Sequence, residues 1–199
     1  MPIHDDLVLK AKMFAKEKHK GQIRKFEQLP YFIHPKRVAH ILYQFKVSAK
    51  INELVAAAYL HDVLEDTDSS YEELKKYFGK FVADIVMQLT SDKQLVSKIG
   101  KAKYLADKMI SMTSYALTLK LADRIDNVNR LRFMGDEKFQ SKYLIETKYI
   151  IERLKTERTL NPTQKRMIKE IETHLGDEAV DDIDYLKFDS YIKKSEKNL

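Results

Sequence analysis

The chain of 199 residues contains no cysteine, only five glycines and four prolines, and no long apolar run. The absence of cysteine excludes disulfides, thiolate metal ligands and a cysteine nucleophile, so any bound metal must be held by His, Asp or Glu. Residues 1–6 are polar and acidic without an apolar signal core, and no segment is long enough to span a bilayer. We therefore expect a soluble cytoplasmic protein with no membrane partner.

The charge of the chain is basic, with a formal net charge of +6 at pH 7. A basic surplus favours a polyanionic partner without identifying one. Lys and Arg are dense between residues 10 and 25, where they form either a solvated helix face or a surface for a polyanion. Because Trp is absent and the Tyr and Phe residues are scattered, the sequence does not favour a nucleic-acid partner.

Apolar residues recur with helical spacing between Gly and Pro residues, and no run shows the two-residue period of a strand. The pattern predicts an all-α fold, a compact single-domain helical bundle over residues 1–176. Residues 177–199 differ in composition and form a tail that could dock as an amphipathic helix. The predicted helices cover residues 7–20, 36–45, 50–64, 70–79, 80–89, 101–112, 114–133, 138–156 and 162–176, with a loop at 22–35.

The most informative feature is the pair His61-Asp62 at the end of the very apolar predicted helix 50–64. Polar groups that emerge from a buried segment need partners. Glu65 and Asp66 follow four residues after His61 and Asp62, so a helix continued by one turn would place all four groups in one cavity. Taken alone, the cluster is more typical of the polar end of a helix.

Two further segments each carry one ligand-type residue. Asp123 shares a helix face with Asn127 and Arg130, and this face is either directed into a polar cavity or an exposed polar stripe. His34 lies between two aromatic residues and Pro35, a residue typical of a helix start. A single histidine in such a setting is more often a core residue than a ligand.

The three segments are more specific together than apart. They supply two imidazoles and two carboxylates from separate helical elements, a mixed set of nitrogen and oxygen donors. Such donors suit a divalent first-row ion such as manganese, iron or zinc. An ion held in this way can bind water and a phosphate oxygen, which is what hydrolysis of a phosphoester requires.

The segments Tyr31–Pro35, His61–Thr67 and Lys120–Asn127 resemble those of the HD superfamily, and within it the hydrolase domain of RelA/SpoT-type alarmone enzymes. The similarity extends from about residue 5 to about residue 155. It points to the stand-alone small alarmone hydrolases, which remove pyrophosphate from the 3′ position of (p)ppGpp. The resemblance thus implies an HD-type hydrolase that converts (p)ppGpp to GDP or GTP and pyrophosphate.

The resemblance also implies roles for individual residues. The ligands of one Mn²⁺ ion would be His34, His61, Asp62 and Asp123. The catalytic residues that orient or deprotonate the attacking water would be Glu65 and Asp66. The substrate-binding residues would be Arg24 and Lys25 for phosphates, Asn127 for the sugar or diphosphate, and Tyr31 in the nucleotide pocket.

Two departures from the family pattern lie near the expected nucleotide. The loop 26–29 lacks a Gly that is common in the family, and Arg130 stands where a small hydroxyl residue is common. They leave open the alternative of an HD phosphohydrolase for another nucleotide: (p)ppApp, NADPH or a nucleoside monophosphate. A catalytically silent binding module is the remaining alternative, and the oligomeric state cannot be read from the sequence.

Overall fold

The structure is a computed structural model that describes residues 6–46, 48–133 and 136–175. Within these residues the chain is α-helical, and the only β-type pairing described is an isolated bridge between Ile23 and Pro30. The all-α prediction is confirmed. The helices are α1 (Asp6–Lys18), α2 (Ile33–Phe45), α3 (Ile51–Leu60), α4 (Val63–Asp66), α5 (Tyr71–Leu89), α6 (Lys93–Ile99), α7 (Lys101–Ser111), α8 (Ser114–Arg130), α9 (Glu137–Glu157) and α10 (Pro162–Leu175), with a 3-10 helix at Leu131–Phe133.

Helix α3 is the centre of the bundle. Every residue from Leu54 to Leu60 is buried, and the helix packs against α1, α2 and α5. Burial of each large apolar side chain contributes roughly 1.5–3 kcal/mol, which explains the apolar sequence of this segment. Helix α8 packs against α2 and α10. The end of α3, the start of α2 and the middle of α8 therefore meet in the interior.

The predicted helix 50–64 is interrupted where its polar residues begin. Helix α3 ends at Leu60, and α4 starts at Val63. The ring of His61 hydrogen-bonds through Nδ1 to the carbonyl oxygen of Ala58, at 2.8 Å. In a continuous helix this carbonyl would accept the backbone N–H of Asp62. The side chain of His61 thus competes with the helical hydrogen bond, and the expected continuous turn is replaced by a break.

Glycines and caps account for other helix boundaries. Ser70 caps α5, because its Oγ accepts the backbone N–H of Glu73 at 3.1 Å. Gly79 has a φ of 82° and breaks the helical path at the predicted boundary, although the element continues beyond it as the second half of α5. Helix α6 was not predicted; it is capped by Asp92, whose carboxylate accepts the backbone N–H groups of residues 94 and 95.

The predicted loop 22–35 is more ordered than expected. Arg24 N–H donates to Leu29 O and Tyr31 N–H donates to Gln22 O, both at 2.9 Å, so the segment folds back on itself like a short hairpin. Its tip places Gln28 at a φ of 54°, a left-handed conformation that favours glycine. The loop 26–29 lacks the Gly that is common in the family, and it therefore uses Gln28 for a turn that Gly would adopt more easily.

Two further expectations concern the ends and the surface of the chain. The predicted tail 177–199 lies outside the described residues, so its docking stays a prediction. Among the described helices, none combines the length and the apolar character needed to cross a membrane.

Candidate active site

A cleft of about 510 Å³ opens between the loop 22–31, the α3–α4 break, α8 and α9. It is lined by nine predicted site residues: Arg24, Lys25, Tyr31, His34, Asp62, Glu65, Asp66, Asp123 and Asn127. The tenth, His61, is only 2% exposed and adjoins His34 below the cleft surface. The structure thus brings together residues that are up to about 100 positions apart in the sequence.

Three buried side chains converge at the floor of this cleft. His34 Nε2 lies 3.2 Å from His61 Nε2 and 3.1 Å from Asp123 Oδ1, and His61 Nε2 lies 3.9 Å from the same carboxylate oxygen. All three donor atoms lie within 4.8 Å of one another. Ligand atoms at roughly 2.0–2.2 Å from a divalent ion are themselves about 3–4 Å apart, so this spacing fits such an ion.

The orientation of both imidazoles favours a cation. His61 Nδ1 faces the carbonyl of Ala58, which can only accept, and His34 Nδ1 faces Asp126 Oδ2 at 2.6 Å. Each Nδ1 therefore carries a hydrogen, and the two Nε2 atoms face each other as the nitrogens left to bind a metal. A metal ion between them would take the place of a proton on Nε2.

Asp62 lies beside the three converging residues. Its Oδ2 is 3.1 Å from His61 Nε2 and 3.7 Å from His34 Nε2, and it accepts the hydroxyl of Tyr31 at 2.6 Å. Burial and the charge of Asp62 raise the pKa of Tyr31 well above its usual range, so the phenol stays a hydrogen-bond donor. Tyr31 was expected to line the nucleotide pocket; the structure places it in the cleft as a partner of Asp62.

The charges at the floor are strongly coupled. Burial opposes ionisation of Asp62 and Asp123, but the imidazoles, and for Asp123 also Lys120, outweigh it and hold both carboxyl pKa values below their usual range. Burial would likewise lower the pKa of His34, yet hydrogen bonds to Asp123 and Asp126 raise it to about 9. The floor therefore attracts positive charge.

The floor already contains a positively charged side chain, that of Lys120. Lys120 Nζ lies 2.8 Å from Asp123 Oδ2, so Asp123 forms an ion pair within its own helix. It uses the second carboxylate oxygen. Asp123 Oδ1 faces the imidazoles and accepts the side-chain amide of Asn127 at 2.7 Å. Ion pairing and metal ligation by Asp123 are thus compatible.

The predicted catalytic pair occupies the rim above the floor. Glu65 Oε2 accepts the backbone N–H of Ser91 at 2.9 Å, which ties α4 to the segment after α5. Asp66 is exposed, and its Oδ2 lies 3.2 Å from the Tyr31 hydroxyl. Partial desolvation of its carboxylate, followed by the charges of Asp62 and Glu65, raises the pKa of Asp66. Both carboxylates face the cleft beside the floor.

Arg24 and Lys25 differ in their surroundings. The side chain of Arg24 is only 10% exposed; its guanidinium donates to Asn127 Oδ1 at 3.0 Å and pairs with Glu27 at 2.9 Å and Asp126 at 3.4 Å. Lys25 is exposed at the cleft mouth, with its Nζ 5.5 Å from the centre of the Phe26 ring. Lys25 therefore meets a ligand freely, whereas Arg24 is already held in place.

Several cleft residues were missed by the sequence analysis. Asp126 is fully buried behind His34, and its position three residues after Asp123 on α8 was the available signal. The opposite wall was not foreseen, because its members come from separate helices: Lys101, Leu105, Arg124, Phe139, Tyr143 and Glu146. In the basic segment 10–25, three of the lysines have a carboxylate partner, in the pairs Lys10–Asp6, Lys20–Glu17 and Lys18–Asp68.

Comparisons with known proteins agree with this geometry. A family profile described as HD domain matches residues 11–158. The guanosine-3′,5′-bis(diphosphate) 3′-pyrophosphohydrolase of Aquifex aeolicus is 37% identical over 211 aligned positions, covering 100% of this chain and 27% of that protein. The corresponding enzyme named MESH1 of Xenopus tropicalis is 38% identical over 127 positions, covering 63% of this chain and 70% of that protein.

A solved structure of a related protein has the same fold. A protein described as a metazoan ortholog of SpoT that hydrolyses ppGpp superimposes with a TM-score of 0.74 at 28% identity, covering 86% of this chain and 97% of the other. The chain spans about a quarter of the length of the Aquifex relative, but most of the Xenopus protein. HD domains hold a divalent metal, and His34, His61 and Asp123 form the candidate site for it here. The chain belongs to the HD-domain family, in the group that includes the small MESH1 proteins.

Proposed function

We propose that this protein is a Mn²⁺-dependent 3′-pyrophosphohydrolase of guanosine alarmones, which converts (p)ppGpp to GDP or GTP and pyrophosphate. The proposal rests on one observation. At the floor of a cleft, two imidazole Nε2 atoms and one carboxylate oxygen, all from buried residues, lie within 4.8 Å of one another. The names of the relatives supply the substrate.

The metal would be held by His34, His61 and Asp123, with Asp62 as the fourth ligand. Asp62 Oδ2 lies 3.1 Å from His61 Nε2 and 3.7 Å from His34 Nε2, close enough to join them around an ion, although it is not among the three atoms that converge within 4.8 Å. Imidazole and carboxylate donors suit Mn²⁺. When bound there, such an ion polarises a phosphoryl oxygen and makes water more acidic.

Glu65 and Asp66 would aim the attacking water and accept its proton. The water oxygen forms a bond to the phosphorus attached to the 3′ oxygen, and the bond between that phosphorus and the 3′ oxygen breaks. The leaving 3′ oxygen takes up a proton from the protonated carboxylate or from solvent, so the 3′ hydroxyl and intact pyrophosphate are the products. The raised pKa of Asp66 makes it a stronger proton acceptor than an ordinary carboxylate, and its exposed position lets the proton pass to solvent.

The cleft is suited to a nucleotide. Its volume of about 510 Å³ lies within the range typical of small-molecule sites. Lys25 at the mouth supplies a free cation for a phosphate, and Arg24 and Asn127 present further donors along the same wall. The aromatic rings of Phe26 and Phe139, 5.4 Å apart, offer an apolar surface on the cleft lining.

The proposal is tested by a substrate panel with the purified full chain and Mn²⁺. We expect ppGpp and pppGpp to yield GDP or GTP together with intact pyrophosphate. Free phosphate as the first product would contradict the 3′-pyrophosphohydrolase chemistry. Faster turnover of ppApp, NADPH or a nucleoside monophosphate would favour the alternative substrate. Exhaustive chelation followed by addition of Mn²⁺, Mg²⁺ or Zn²⁺ separately identifies the metal, and full activity without any metal would refute the assignment.

A further inference from the structure

Asp126 is a carboxylate that the proposed chemistry does not use, yet it is 0% exposed and directly behind a candidate metal ligand. Its Oδ2 lies 2.6 Å from His34 Nδ1, on the side of the ring opposite the cleft floor. A fully buried charge is costly unless it is compensated. The compensation comes from Arg37, whose Nε lies 2.7 Å from Oδ1, and from Arg24 at 3.4 Å.

These partners determine which nitrogen of His34 can bind a cation. An ionised carboxylate only accepts hydrogen bonds, so Nδ1 of His34 must carry a hydrogen, and Nε2 is the nitrogen left to bind a metal in exchange for a proton. Nε2 is directed to His61 Nε2 and Asp123 Oδ1. Metal-binding histidines commonly have their second nitrogen held by a carboxylate in this way.

Asp126 also reaches the opposite part of the site. Arg24, which lines the cleft in the loop 22–31, donates to the same Oδ2 that faces His34. Glu27 completes the arrangement, because its Oε2 lies 2.9 Å from Arg24 Nε and 2.8 Å from Arg37. Asp126 is therefore the one group among these that touches both the candidate metal ligand and the loop.

We propose that Asp126 is a positioning residue that holds His34 Nε2 toward the metal and at the same time anchors the loop that carries Arg24. It is not a metal ligand and does not touch substrate. The inference rests on the metal site of the proposed function, but not on the identity of the nucleotide. Metal occupancy and the placement of the substrate-binding loop are thus linked through one buried carboxylate.

The chain offers a matched pair of variants. Asp126→Asn keeps the size of the side chain but leaves one acceptor oxygen, so the new amide must face a donor on either His34 or an arginine. Glu27→Gln disturbs the same two arginines without touching His34. We expect Asp126→Asn to weaken Mn²⁺ binding by about 10- to 100-fold and to raise KM. Glu27→Gln should raise KM and leave the Mn²⁺ dissociation constant within about threefold.

The test is calorimetric titration of Mn²⁺ into the full chain without nucleotide, with circular dichroism to monitor folding. Unchanged Mn²⁺ affinity in Asp126→Asn would overturn the inference, and so would equal weakening in both variants, since that indicates general loosening. If Asp126→Asn does not fold, NMR spectra of the wild-type chain loaded with diamagnetic Zn²⁺ provide the test instead. Long-range ¹H–¹⁵N spectra should then show His34 protonated at Nδ1 and metal-bound at Nε2, and the opposite tautomer would overturn the inference. A wild-type chain that binds neither ion would refute the metal site itself.

Discussion

Glu65 is the residue whose substitution separates chemistry from structure most clearly. Glu65→Gln preserves shape and one acceptor oxygen, so the hydrogen bond from Ser91 N–H can persist. What disappears is the ability to accept a proton from water. A positioned general base contributes roughly 10²- to 10⁴-fold in rate, which corresponds to about 3–5 kcal/mol of transition-state stabilisation. We expect turnover of ppGpp to fall by that factor, and Asp66→Asn to behave alike.

The expected stability effect is much smaller. A hydrogen bond contributes about 0.5–1.5 kcal/mol net, and the glutamine can still accept from Ser91. For a chain of this length, about 1 kcal/mol changes the melting temperature by roughly 2–4 °C. Glu65→Gln should therefore melt within about 4 °C of the parent. It should retain Mn²⁺, because Glu65 is not among the converging donor atoms.

The assay combines single-turnover hydrolysis, metal content and thermal melting on the same protein samples. Glu53→Gln, which alters a glutamate on α3 paired with Lys50, is the matched control and should keep full turnover. A Glu65→Gln chain that melts far below the parent but hydrolyses ppGpp nearly as fast would show that Glu65 only ties α4 to Ser91. Loss of metal would instead make Glu65 a ligand.

Three further predictions follow from the same geometry. Mn²⁺ at about 100 times its dissociation constant should stabilise the fold by about 2.7 kcal/mol and raise the melting temperature by roughly 5–11 °C, and Asp123→Ala should abolish this rise in thermal scans. Lys25→Ala should raise KM without lowering the melting temperature. Arg24→Ala should raise KM and also lower the melting temperature, because it breaks buried ion pairs. Equal melting temperatures of the two variants would contradict the anchored position of Arg24. Gln28→Gly should change the free energy of unfolding by less than about 1 kcal/mol, because relief of the left-handed backbone strain offsets the lost hydrogen bond to Lys25 O. Gln28→Val should lower the free energy of unfolding by about 1–2 kcal/mol. Urea titrations measure both changes.

The sequence pattern predicts the converging residues well, for a physical reason. His34 and His61 lie at the ends of apolar helices, where a polar side chain can reach the interior while its helix stays in the core. Asp123 lies on α8, and the residues directly before and after it in the sequence are buried. Helix ends and helix faces are properties of local spacing, so they can be read from sequence alone.

Other parts of the site depend on tertiary contacts that spacing does not encode. Asp126 stands among polar residues that could equally form a solvated helix face, and its burial depends on the approach of Arg37 from α2 and of Arg24 from the loop 22–31. The break after Leu60 follows from a side-chain hydrogen bond of His61 that competes with the helix. The hairpin-like loop adopts its turn through Gln28, a residue type that gives no turn signal.

The distribution of charge would give a bound metal a second role. The chain is basic overall, yet the charged side chains that line the cleft include six carboxylates and five Lys or Arg: Glu27, Asp62, Glu65, Asp66, Asp123 and Glu146 stand against Arg24, Lys25, Lys101, Lys120 and Arg124. Such a lining has no positive surplus to attract a nucleotide with two diphosphate groups. Under the proposed function, a divalent ion at the floor would change the sign of this balance and would support substrate binding as well as phosphoryl activation. The basic surplus of the sequence is thus spread over surface lysines such as those of α1, and the attraction for a polyanion in the cleft depends on the metal.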